Sequence, residues 1–263
     1  MRIYNSLSDV AESDGFWSLF RENEHVSVRR VKENGVESAF VFIEKELSFD
    51  SEYINEVLQT VGRELKRLLK SVGATKKGLI LAVGVGNEGM TADSLGARTL
   101  KYLDITEHLN AAGVKARNRG RLAAIAPGVG GVTGIDSFDV VKGVSERLKP
   151  AAVIAVDTLS AKVAERLKRV VQLSTDGLVP GSGVGNAKRA LSEETLGVPV
   201  IAVGVPLVIE AVDIRLEGEE EPLSDKVRKR LDGLVVTVKE IDLAVEDFAK
   251  VIGGAINFAV HGT

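Results

Sequence analysis

The chain of 263 residues has 34 basic and 37 acidic residues and a formal net charge of −3, which gives no electrostatic reason to expect a nucleic-acid surface. It contains no cysteine, which excludes disulfides, thiolate nucleophiles, iron–sulfur clusters and cysteine-ligated zinc. No apolar run approaches the roughly 20 residues of a membrane-spanning helix, and the polar, acidic N-terminus lacks the features of a secretory signal. We therefore expect a cytoplasmic protein.

The first 50 residues differ from the rest of the chain. Residues 1–50 are polar and charged, and they contain two β-like stretches, at 25–29 and 38–43, on either side of Asn34-Gly35. An Asn-Gly pair between such stretches is typical of a tight hairpin turn. We predict a small hairpin or a propeptide-containing region here, followed by one α/β domain over residues 51–263.

Residues 51–263 alternate helical patterns with apolar runs. Apolar residues at helical spacing predict a first helix over 53–72. Continuous apolar runs predict buried strands at 79–85, 122–126, 151–156 and 199–203, and periodic segments predict helices at 137–148, 159–169, 206–214 and 239–260. This alternation predicts an α/β fold with a mainly parallel twisted sheet and helices on both faces.

Polar loops, most of them rich in glycine, follow the predicted strands. Active sites in parallel sheets lie beyond the carboxyl ends of the strands, so the polar side chains of these loops are candidates for chemistry. In chain order they are Asn87, Asp93, Thr133, Asp157, Asp176 and Asn186. We expect the four loops that carry them to converge on one edge of the sheet.

Two aspartates are the strongest candidates. Asp157 ends a six-residue apolar run, where a carboxylate is costly unless it is hydrogen-bonded or used, although it could also cap a following helix. Asp93 could likewise open a helix near 93–102. Two carboxylates brought close together separate in proton affinity, so that one takes a proton from water while the other protonates a leaving amine. The pair is therefore compatible with peptide hydrolysis.

A cofactor or a metal has weaker support. Gly84, Gly86 and Gly89 match the dinucleotide pattern G-x-G-x-x-G, but the acidic residue about twenty positions on, Asp104, does not end a clear second strand. The three histidines, at positions 25, 108 and 261, lack metal-ligand spacing. We expect no cofactor and no metal, with a dinucleotide-binding enzyme as an alternative.

Four strings of the chain resemble the germination proteases of endospore-forming bacteria, in the same order: 125–162, 174–186, 192–212 and 236–261. The resemblance implies that two aspartates catalyse peptide hydrolysis. Asp93 lies in a loop that matches the family pattern G-N-x5-D-x2-G through Gly86, Asn87 and Gly96, and Asp157 closes a strand that matches V-I-A-x-D. The resemblance also implies a fold similar to that of hydrogenase maturation peptidases.

The same resemblance implies a substrate and an assembly. The family cleaves small acid-soluble spore proteins when germination begins. It is made as a zymogen that is trimmed at its N-terminus, and it assembles as a homotetramer. We expect no direct contact with nucleic acid and none with a membrane, and a location in the cytoplasm, or in the spore core if the host forms spores.

Two of the chain's departures from the family pattern bear on candidate residues. Gly89 stands where the family lacks a glycine, so the dinucleotide match looks accidental, and Thr175-Asp176 reverses the expected order, which could pass a role of Asp176 to Thr175. Two further alternatives stay open. One is a metal-dependent maturation-type peptidase of the same fold with the two aspartates as ligands, and the other is a non-catalytic protein-binding member.

Overall fold

The computed structural model describes residues 17–21, 25–47, 50–74, 77–114, 119–180, 189–214 and 224–262. Its strands are β1 (Trp17–Arg21), β2 (Val26–Glu33), β3 (Val36–Ile43), β4 (Leu79–Gly84), β5 (Arg121–Ile125), β6 (Ala152–Ala161), β7 (Val170–Ser174), β8 (Val200–Glu210) and β9 (Val235–Thr237). Its helices are α1 (Ser51–Ser71), α2 (Leu95–Thr99), α3 (Glu107–Ala111), α4 (Gly130–Thr133), α5 (Ser137–Leu148), α6 (Glu193–Leu196), α7 (Asp225–Leu231) and α8 (Ile241–His261). Within these ranges no helix is both long and apolar enough to cross a membrane.

The strands form one mixed sheet in the order β1-β2-β3-β7-β8-β6-β4-β5, with β9 paired to β8. The pairings among β8, β6, β4 and β5 are parallel. Every other pairing of the described strands is antiparallel. The expectation of a mainly parallel sheet therefore holds for only one half, because apolar strands that are buried on both faces do not reveal their direction.

Two segments that the sequence predicts as helices continue strands instead. The segment 159–169 extends β6 to Ala161 and then forms a short 3₁₀ turn, Ala164–Arg166. The segment 206–214 extends β8 to Glu210 and also ends in a 3₁₀ turn. The two extensions pair with each other, so long-range strand pairing overrides the local helical pattern.

The strands β2 and β3 form a hairpin with its turn at Asn34-Gly35, where both residues have positive φ. β3 also pairs with β7, so this hairpin belongs to the same sheet as the rest of the chain. A buried ion pair adds a second link, because Glu64 of α1 accepts a hydrogen bond from Arg30 of β2 at 2.9 Å and one from Arg67 at 3.0 Å. Burial raises the pKa of Glu64, but the hydrogen bonds from the two arginines outweigh it and hold the pKa below its usual range.

Helices cover both faces of the sheet. On one face, α1 and α8 pack against an apolar cluster that includes Ile154 and Val156 of β6. On the other face, residues of α5 pack against a cluster that includes Val153 and Ala155. Because side chains alternate along a strand, Asp157 points toward this second face, which we call the α5 face.

Two glycines set the close approach of α1 and α8. A Cβ atom on Gly62 of α1 would lie 2.7 Å from Cδ1 of Phe258, and one on Gly254 of α8 would lie 2.2 Å from Cδ1 of Leu58. Each glycine therefore receives a large side chain of the opposite helix. The two helices cover their face of the sheet as one closely packed layer.

The substitution Gly62→Ala is expected to lower the free energy of unfolding by about 1–3 kcal/mol, because the new methyl group overlaps Phe258. Gly143→Ala in the middle of α5 is the control, since nothing lies within 4 Å of its Cβ position. That control should gain about 0.5–1 kcal/mol from helix propensity. Denaturant unfolding of both variants measures the difference, and a similar effect of the two substitutions would contradict the packing argument.

Candidate active site

Asp157 lies at a step in the sheet. The preceding residue, Val156, is paired with Gly84, the last residue of β4, so Asp157 is the first residue of β6 beyond the end of its neighbour. Its side chain is 5% exposed, and its Oδ1 accepts a hydrogen bond from the N–H of Thr158 at 2.8 Å. β6 runs on to Ala161, so the alternative in which Asp157 caps a helix is wrong.

Asp93 is the last residue of a 3₁₀ turn, Thr91–Asp93, in the loop that follows β4. Its Oδ2 accepts a hydrogen bond from the N–H of Asn87 at 2.9 Å, which closes the loop across six residues. α2 begins at Leu95 with Ser94 at its N-cap position, so Asp93 does not cap this helix. The carboxylate is half-buried and is oriented by the backbone of its own loop.

Glycines allow the loop of Asp93 and the helix α2 after it to pack closely against β6. A Cβ atom on Gly86, which has φ of 104°, would lie 2.1 Å from the carbonyl oxygen of Asp93. A Cβ atom on Gly96 would lie 2.3 Å from the carbonyl oxygens of both Val85 and Val156. The 3₁₀ turn approaches β6 within 8 Å, Cα to Cα. The loop of Asp93 is thus packed onto the residue that precedes Asp157.

The same glycines explain the dinucleotide pattern without a ligand. A dinucleotide fingerprint uses its glycines to let a pyrophosphate approach the backbone at the start of a helix. Here the chain's own backbone fills the space beside Gly84, whose Cβ atom would lie 2.4 Å from the carbonyl oxygen of Gly96. The space beside Gly86 is filled by Asp93, and α2 has only five residues. The pattern therefore reflects close packing of the loop.

Asn87 and Thr133 lie in the loops after β4 and β5. Asn87 is next to Asp93, and its Oδ1 accepts a hydrogen bond from the N–H of Gly89 at 3.0 Å. Thr133 ends α4 and is exposed. Its hydroxyl group bonds to backbone atoms of its own loop, at Val129 and Ile135. These bonds fix the loop, and β5 is parallel to β4, so both loops leave the same edge of the sheet.

The last of the four predicted loops, which follows β7 and contains Asp176, does not start at this edge of the sheet. β7 is antiparallel to β8, with Gln172 opposite Gly204 and Ser174 opposite Ala202. The chain therefore moves away from the level of Asp157 before it reaches Asp176, which lies in an exposed turn. Thr175 also has a structural contact, because its hydroxyl oxygen accepts the N–H of Glu37 at 3.0 Å. Asn186 lies outside the described residues.

One buried polar side chain near Asp157 was not among the sequence candidates. Gln172 of β7 is opposite Gly204 of β8, and Gly204 is opposite Asp157 of β6 on its other side. Residues in register on neighbouring strands share a face, so Gln172 and Asp157 both point to the α5 face. Long-range strand pairing creates this row, and no local motif in VVQLS marks it.

Two of the three histidines, His25 and His261, contact other parts of the chain. His261 is at the end of α8, where its Nε2 is 3.0 Å from the carbonyl oxygen of Asp104, and His25 packs edge-on against Tyr53. Within the described ranges no group of three or more His, Asp or Glu side chains has an arrangement that could hold a metal ion.

A family model described as germination protease matches residues 26–220, a span that contains Asn87, Asp93, Thr133, Asp157 and Asp176. A germination protease of Clostridium acetobutylicum is 33% identical over 250 residues, with 83% of this chain and 76% of that protein covered. Germination proteases of Halalkalibacterium halodurans and Caldanaerobacter subterraneus subsp. tengcongensis are 36% and 37% identical, each with 67% of this chain aligned. The chain spans 64% of the length of these last two proteins.

The substitution Gly96→Ala is expected to lower the free energy of unfolding by about 3 kcal/mol or more, because the methyl group would overlap two carbonyl oxygens of the backbone. It should also speed amide hydrogen exchange at Asn87, whose N–H binds the Asp93 carboxylate. Gly89→Ala in the same loop is the control. Its nearest neighbour is the side-chain oxygen of Asn87 at 3.3 Å, which can move. Normal stability and exchange in Gly96→Ala would contradict the proposed packing.

Proposed function

The chain belongs to the germination protease family, and we propose that it is an endopeptidase in which Asp93 and Asp157 act together on the peptide bond. The family alone indicates a peptidase that acts in germination. The aspartate pair is supported by the packing of Gly96 between the carbonyl oxygens of Val85 and Val156. This contact holds the loop of Asp93 against the strand of Asp157.

In the proposed reaction, one carboxylate takes a proton from a water molecule that attacks the peptide carbonyl. The other carboxylate, in its protonated form, donates its proton to the leaving amine. Asp157 is nearly buried and Asp93 is half-buried, and poor solvation strengthens the electrostatic coupling between two such groups. Which aspartate acts as the base and which as the acid stays unassigned.

Other residues of the same edge have proposed supporting roles. The N–H of Asn87 orients Asp93, and backbone amides around 128–134 lie in the loop after β5, where they could polarise the substrate carbonyl. Thr133 would keep that loop in shape through its three backbone hydrogen bonds. Asn186 and Asp176 stay predictions from the sequence, and the direction of β7 does not favour Asp176.

The proposed substrates are small acid-soluble spore proteins, cleaved in the cytoplasm or in the spore core. Family membership supports this choice, as do the germination proteases that the chain resembles. Trimming of a zymogen at its N-terminus, assembly as a homotetramer and a fold like that of hydrogenase maturation peptidases are proposed on the same resemblance.

The test is the digestion of a purified small acid-soluble spore protein by the wild-type chain and by Asp93→Asn and Asp157→Asn, with and without a chelator. Each variant is expected to lose at least about a thousandfold in kcat, because neither carboxylate can replace the other. Asp104→Asn is the control, since this exposed carboxylate pairs with Arg119 instead. It should cleave at the wild-type rate.

Different outcomes separate the alternatives. Cleavage by the wild type that ignores the chelator, together with two inactive variants, is the expected result. Cleavage that the chelator abolishes would contradict the proposal and make the aspartates metal ligands. No cleavage by the wild type, even after limited trimming of its N-terminus, would favour a protein-binding role.

A further inference from the structure

Gln172 and Asp157 occupy one row of the sheet. They lie on either side of Gly204, which is paired with both of them. Neighbouring strands are about 4.8 Å apart, so the Cα atoms of Gln172 and Asp157 are about 10 Å apart across β8. The row runs across the α5 face from the candidate catalytic carboxylate to the antiparallel half of the sheet.

The amide group of Gln172 is buried without full use of its hydrogen-bonding capacity. Gln172 is 1% exposed, and its side-chain oxygen has no hydrogen-bond partner among the residues that the structure describes. Burying an unpaired amide atom costs free energy, and nearly all buried polar atoms in folded proteins have a partner. A buried amide oxygen without a partner, in the same row of the sheet as Asp157, is therefore a group to which a ligand could donate a hydrogen bond.

The side chains next to Gln172 along this row cannot donate a hydrogen bond to its side-chain oxygen. Leu159 covers Gly204, because its Cγ lies 2.6 Å from the position that a Cβ of Gly204 would take. On the other side of Gln172, β3 places Phe40 opposite it, and Phe40 is itself buried. Both side chains are apolar, so they exclude water from the row but supply no hydrogen bond.

We propose that the Gln172 amide binds the main chain of the peptide substrate, an inference that rests on the proposed peptidase function. A peptide in extended form advances about 3.4 Å per residue, so a peptide that crosses β8 spans the 10 Å row in about three residues. Gln172 thus contacts the substrate backbone within about three residues of the bond that is cleaved at Asp157. A peptide N–H is a suitable donor to the amide oxygen that lacks a partner.

The proposal has a consequence for substrate selection. A contact with the main chain does not depend on the substrate side chain at that position, so Gln172 contributes affinity without sequence preference. Gln172 and Asp157 are both nearly buried in the substrate-free chain. Leu159 covers Gly204 between them, so the peptide reaches the row only when this side chain moves aside.

The test uses Gln172→Met and Gln172→Leu, which keep the size of the side chain and remove its polar atoms. KM for a small acid-soluble spore protein is expected to rise about tenfold, the loss that follows from one missing hydrogen bond, with kcat within about twofold of the wild type. The dissociation constant of the same protein, labelled with fluorescein and measured in the Asp93→Asn background, should rise by the same factor. The midpoint of unfolding should stay equal or increase, because the unpaired polar atom is gone.

Ser145→Ala is the matched control. Ser145 of α5 is 2% exposed, and within the described ranges its hydroxyl oxygen is also buried without a partner. Its removal should affect stability in the same direction as Gln172→Met but leave KM unchanged. The comparison separates the removal of a buried polar atom from the loss of a substrate contact.

Four results would overturn the inference, and a fifth would separate it from the hydrolytic function. Unchanged KM and dissociation constant, with cleavage intact, would remove the role of Gln172 alone. Failure of both Gln172 variants to fold, or a fall in kcat at constant KM, would assign the amide to the fold or to the reaction step. If the wild type does not cleave but Gln172→Met still weakens binding, the contact stands and the hydrolytic function fails. No binding by the wild-type chain would contradict both.

Discussion

Gly96 lies against the carbonyl oxygens of Val85 and Val156 at a distance that only a residue without a side chain allows. This contact fixes the loop after β4 near the strand β6, the strand in which Asp157 lies beyond the end of β4. Two neighbouring glycines make similar contacts. Gly84 lies against the backbone of Gly96, and Gly86 lies against the backbone of Asp93. The catalytic proposal depends on this one close approach.

Local pattern predicted some of this arrangement well. Asp157 follows an apolar run, Asn34-Gly35 lies between two β-like stretches, and the structure has a buried carboxylate and a hairpin turn at these places. Strand direction could not be predicted, because the apolar strands β7 and β8 look alike whether they are parallel or antiparallel. Long-range pairing sets this direction. It takes the chain away from the expected edge before Asp176 and places Gln172 in the same row as Asp157.

The two halves of the sheet position different residues. The parallel half positions the loop of Asp93 and the strand residue Asp157 at one edge, where parallel strands generally carry their sites. The antiparallel half joins the N-terminal hairpin to the core through β3 and β7 and brings Gln172 level with Asp157. The geometry of the parallel half thus supports this edge of the sheet as the proposed place of catalysis.

If Asp93 and Asp157 act as one unit, a double-mutant cycle should show it. The measurement is kcat for a small acid-soluble spore protein with the wild type, Asp93→Asn, Asp157→Asn and the double variant. Residues that act as a unit have strongly non-additive effects. We expect the kcat of the double variant to lie within about threefold of that of the slower single variant. A loss equal to the product of the two single losses would contradict it.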